Sequence, residues 1–130
     1  MQRESIDLKA RDKGGRWHEG LAVRRCAKAG IKLAMVAPNP VDGRSLAHPD
    51  FDAVWNAFQA LDMTVCFHVS NYQLPLHPAW YAIDPHPGNK LLDTTFLHLG
   101  AAVATTALIV HGKLEQFPNL RIGITQCLPP

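Results

Sequence analysis

The chain has 130 residues and is 47% apolar, which is enough for one domain with a real core and too much for a disordered segment. Its net charge of +2 is unevenly spread: residues 1–32 hold nine Lys/Arg against four Asp/Glu, and the remainder four against seven. A solvated basic helix explains that excess at least as well as a nucleic-acid partner, and no basic–aromatic interleaving favours the latter.

Met1 to Gly15 is polar and receives no element. Met1-Gln2-Arg3-Glu4 opens no apolar signal region. The chain therefore divides into a polar segment, 1–16, and one domain, 17–130. Trp17 to Ala29 reads as a helix with Trp17, Leu21, Ala22, Cys26 and Ala29 along one face. Gly30 is its stop signal, and Lys28 suits the negative end of the helix dipole. Ile31 to Ala37 then reads as a buried strand. Pro38-Asn39-Pro40-Val41-Asp42-Gly43-Arg44 ends it, since prolines cannot donate to a sheet ladder and Asp-Gly signals a turn.

The next unit has the clearest period. Asp50 is its expected N-cap, and Phe51, Val54, Trp55, Phe58 and Leu61 recur at three- and four-residue steps. That stripe is a core-facing helix. Thr64 to Val69 follows as a strand with no polar face, as expected where both sides of a parallel sheet are covered. A helix between two such strands makes them parallel neighbours or near-neighbours. His68 lies at the end of this strand, where α/β folds gather their ligands. Two readings of it stand: a chemical group, or a core histidine whose ring nitrogens are bonded internally.

Ser70 to Lys90 has no period and four prolines, yet carries Tyr72, His77, Trp80, Tyr81, Asp84 and His86. A loop of this length rooted beside His68 reads as a pocket wall or lid, with His77, Trp80 and His86 as its candidate lining; the alternative is a surface loop packing its own aromatics. Asp93 to Val110 reads as one long helix, capped by Asp93 or Thr94. It is apolar all round and so expected to pack between neighbours. Its most apolar part, Phe96 to Val110, is too short and too polar for a membrane crossing. Gly112 interrupts, Lys113 to Phe117 forms a short helix stopped by Pro118, and Leu120 to Thr125 is a last strand.

No HxH, HExxH, GxGxxG, P-loop or Gly-x-Ser-x-Gly pattern is present, so no complete metal or nucleotide site can be read locally. Asp42, Asp50 and Asp52 are accounted for by a turn and a helix cap. Cys26, Cys66 and Cys127 lack paired spacing, which suggests reduced thiols in a cytoplasmic protein.

The run Pro38 to Arg44, the Pro49 to Trp55 segment, Val65-Cys66-Phe67-His68 and Lys113-Leu114-Glu115-Gln116-Phe117-Pro118-Asn119-Leu120-Arg121-Ile122 together resemble the amidohydrolase-related family. That family includes enzymes similar to aminocarboxymuconate-semialdehyde decarboxylase, and the resemblance covers roughly residues 17–125. It implies an α/β fold, a metal-dependent (β/α)8 TIM barrel, of which this chain would supply about three β/α units. It implies hydrolysis or non-oxidative decarboxylation of a small carboxylated or cyclic substrate. It also implies a divalent, zinc-like ion, with His68 matching the family's metal-ligating histidine on the fifth strand.

The family's first-strand histidine pair and last-strand acid have no counterpart here, and Gln126-Cys127-Leu128-Pro129-Pro130 departs from its continuation. The chain thus reads as the central portion of a barrel, truncated at both ends. The alternative is a non-catalytic fragment or association module. Val65, Phe67, Met35 and Ile124 are expected to have faced the barrel interior, and open edges favour a homo-oligomer.

Overall fold

The computed structural model describes residues 5–6, 21–68, 79 and 87–125. Four parallel strands form one sheet in sequence order: β1 (Ser5–Ile6), β2 (Leu33–Val36), β3 (Thr64–His68) and β4 (Arg121–Thr125). Met35 pairs with Cys66 and Cys66 with Gly123, so the three longer strands share one register. The expected parallel sheet is present, with one strand more than the period suggested. β1 is two residues in the polar segment that received no element, too short to leave an alternation of its own. It pairs Ser5 with Met35 and Ile6 with Val36.

Of the expected 17–29 helix, the described part is α1 (Leu21–Lys28), and residues 17–20, Trp17 among them, lie outside the described residues. Its inward face is Val23 and Cys26, while Ala29 is exposed. The Ile31 N–H reaches the Cys26 carbonyl at 3.0 Å and the Gly30 N–H reaches Ala27 at 3.0 Å. That pair of hydrogen bonds closes the helix, and it needs the left-handed φ of +77° at Gly30. After β2, Val41 and Arg44 exchange two backbone bonds of 3.0 Å around Asp42 and Gly43, both at positive φ. This is the tight turn that Asp-Gly favours.

Asp50 is not the N-cap of the next helix. His48 Nδ1 accepts from the Asp50 N–H at 3.2 Å and caps a 3-10 turn, Pro49–Phe51, which runs into α2 (Asp52–Ala60). Pro49 fixes the entry, with the cap two residues before the expected Asp50. The stripe itself is as expected: Phe51, Val54, Trp55 and Phe58 are buried, and Leu61 is partly so. Trp55 donates its indole N–H to the Leu46 carbonyl at 3.0 Å, which satisfies the one polar atom of the ring. The end of α2 repeats the closure of α1, with Asp62 at φ +52° in place of glycine.

The expected single helix over 93–110 is two, α3 (Pro87–Phe96) and α4 (His98–Val110). α3 is already helical at Pro87, six residues before Asp93, so neither Asp93 nor Thr94 is a cap. Thr95 bonds back to the Leu91 carbonyl at 2.8 Å, the kind of contact that bends a helix near its end. α4 is not enclosed all round. Gly100, Ala101, Ala104 and Leu108 face the core, while Val103, Ile109 and Val110 are exposed, Val110 by 68%. No helix among the described residues is long and apolar enough to cross a membrane.

Gly112, at φ +69°, turns the chain into α5 (Lys113–Gln116). Lys113 is 5% exposed and pairs with Asp52, while Gln116 bonds both partners at 3.0 and 2.9 Å. The start of α2 is thereby clamped to α5, which leads into β4. Arg121 then grips Asp62 through its carbonyl at 2.9 Å and its carboxylate at 2.7 Å.

Candidate active site at the carboxyl end of the sheet

Side chains alternate along a strand, so burial assigns the two faces. Ala34, Val36, Val65 and Phe67 belong to one buried cluster with Val23 and Cys26 of α1, Trp55 and Phe58 of α2, and Ala101 and Leu108 of α4. The helices therefore cover this face. The expectation that Val65, Phe67 and Ile124 faced a barrel interior is corrected for Val65 and Phe67, which are core. Ile124 shares their face by register and is half exposed. Of the four, Met35 alone alternates to the other side.

That other face carries Leu33 and Met35 on β2, Thr64, Cys66 and His68 on β3, and Arg121, Gly123 and Thr125 on β4. Cys66 is 2% exposed yet lies outside the helix-facing cluster, so β3 is covered on both sides as its unbroken apolar run suggests. His68 closes the strand at intermediate burial on this second face. It stands at the carboxyl end of a parallel strand, turned away from the helix layer, where ligand sites form in such folds.

Two neighbours complete the described part of the site. Thr125 pairs with His68 in register, and its hydroxyl lies 3.3 Å from Cys66 Sγ, two residues back along β3. Gly123 stands in register with Cys66 and presents no side chain there. Among the described residues, a Cβ at Gly123 would come within 4 Å of the Val65 carbonyl alone, at 3.9 Å. Thr125 was not singled out from the sequence. Its one signal is the equal length of β3 and β4, which brings the last residues of the two strands side by side.

The remaining candidates separate from this end. His77, Trp80 and His86 lie outside the described residues, as do Val69 and residues 126–130. Asp42 sits in the tight turn, Asp50 pairs with Arg44 at 3.0 Å, and Asp52 holds Lys113, so all three have structural partners. Among the described residues no three His, Cys, Asp or Glu side chains converge. A catalytic zinc takes about three protein ligands and an open position. The described residues therefore do not by themselves fit the ion that the resemblance implies.

No family model and no curated protein matches this chain. Solved structures do match. An amidohydrolase from Mycobacterium avium subsp. paratuberculosis K-10 superposes with a TM-score of 0.67 at 25% identity, over 93% of this chain and 31% of its own. The IDCase of Metarhizium anisopliae in apo form superposes at 0.70 with 18% identity, over 92% and 30%. A putative amidohydrolase from Staphylococcus aureus gives 0.63 at 17%, over 81% and 35%. The chain spans about a third of the length of these proteins, and its parallel sheet and covering helices have the fold of that part of the amidohydrolase structures.

Proposed function

We propose that this chain forms part of a metal-dependent enzyme of the amidohydrolase type, similar to aminocarboxymuconate-semialdehyde decarboxylase. Its reaction would be hydrolysis or non-oxidative loss of a carboxylate, on a small carboxylated or cyclic substrate, in the cytoplasm. One observation carries the reading: His68 ends a buried parallel strand on the face away from the helices. The likeness to the mycobacterial amidohydrolase supports it. In this reading His68 gives one neutral imidazole nitrogen to a zinc-like ion, and the other donors come from outside the described residues. His77, Trp80 and His86 would line the approach.

Metal analysis of the purified chain and of His68→Ala tests the assignment. The wild type should retain divalent metal and the variant should lose it, with unchanged circular dichroism. Equal metal content in both would remove His68 as a ligand.

A second reading is favoured by the outer surface of α4, where Val103, Ile109 and Val110 are exposed on a helix without one charged residue. Here the chain is an association module that pairs with copies of itself and turns nothing over. Light scattering beside a metal-supplemented activity screen separates the two. Oligomer without turnover favours the module, and metal-dependent turnover the enzyme.

A further inference from the structure

His68 depends on β4 more than on any other described strand. The β2–β3 pairing ends at Val36 and Phe67, one residue short of it, whereas the β3–β4 pairing runs on to include His68 and Thr125. Among the described strand pairs, Thr125 is therefore the register partner that fixes where the His68 backbone lies. Terminal ladder pairs fray unless something ties them down.

β4 is tied at its start by Arg121, which holds Asp62 through both carbonyl and carboxylate. Toward its far end β4 is tied to β3 by the contact between the Thr125 hydroxyl and the buried Cys66 thiol. Thr125 crosses diagonally to Cys66, whose register partner Gly123 presents no side chain beside the contact. We propose that Thr125 is a positioning residue: its hydroxyl, held by Cys66, locks the last described β3–β4 pair and with it the orientation in which His68 is presented. This rests on the reading of His68 as the working group of the site. Either atom can donate in this contact, so no charged state of the thiol is required. The hydroxyl of Thr125 does not act on a reacting atom.

The test compares the full chain with Thr125→Val, which keeps the shape and removes the hydroxyl, and Thr125→Ser, which keeps the hydroxyl. Hydrogen exchange is followed at residues 67–68 and 124–125 against Val65 and Leu108, together with the ring resonances of His68. In Thr125→Val, exchange at the terminal pair should rise on the order of 2- to 10-fold, as for one net hydrogen bond, while Val65 and Leu108 are unchanged. The His68 ring signals should broaden or split, and Thr125→Ser should restore both. An unchanged His68 in Thr125→Val, an equal rise at Val65 and Leu108, or no rescue by serine would each overturn the proposal. Metal uptake by wild type and His68→Ala is read separately, so loss of the functional reading is distinguishable from loss of the positioning role.

Discussion

Helices α2 and α4 both lie on the same face of the sheet, and they reach it by opposite means. α2 buries large side chains, Trp55 and Phe58 among them, and turns Asn56 and Ala60 to solvent. α4 buries Gly100, Ala101, Ala104 and Leu108 and leaves Val103, Ile109 and Val110 outside. A helix with polar contrast declares its inner face. One without contrast, such as α4, gives no such indication, and its exposed side is as apolar as its buried one. The exposed remainder is then available to another surface.

The comparison breaks most readily at Trp55. Trp55→Ala should cost about 3–5 kcal/mol, read as a lower denaturation midpoint, since it empties a fully buried site and orphans the Leu46 carbonyl. On α4 the largest loss should come from Leu108→Ala, about 2–4 kcal/mol, because Leu108 alone among its core-facing residues has volume to lose. Asp52→Ala leaves Lys113 buried with its bond to Gln116 still in place. Its cost should be on the order of 2 kcal/mol, below that of a fully buried pair because Asp52 is partly solvated. Val103→Ser and Val110→Ser should each stay within about 0.5 kcal/mol in dilute monomer. Any larger change that depends on protein concentration would show that the outer face of α4 is covered by another copy.

The α2 unit was legible in the sequence because Phe51, Val54, Trp55 and Phe58 stand at helical spacing among polar residues, and only the cap was misplaced. A histidine cap and a proline-led 3-10 turn leave a weaker signal than Asp50 does. α4 was legible as a helix but not as a face, since thirteen residues without a charge carry no period to read. Likewise Val65 and Phe67 alternate with Cys66 in a run that is apolar at every position, so which side met the helices could be decided only by the neighbouring strands. Of the site, His68 was visible because a polar residue ends that apolar run. Thr125 was not, for its partner Cys66 lies 59 residues away in the chain.

The central claim is that His68 offers its ring to a metal ion. The most direct measurement is a cobalt(II) titration of the full chain, followed through the ring resonances of its seven histidines by NMR. The His68 signals should broaden first, at a stoichiometric step, and His68→Ala should abolish that step while leaving the fold intact. If His48 or His111, on other parts of the surface, respond first and His68 stays sharp, His68 is a histidine of the sheet end and not a ligand.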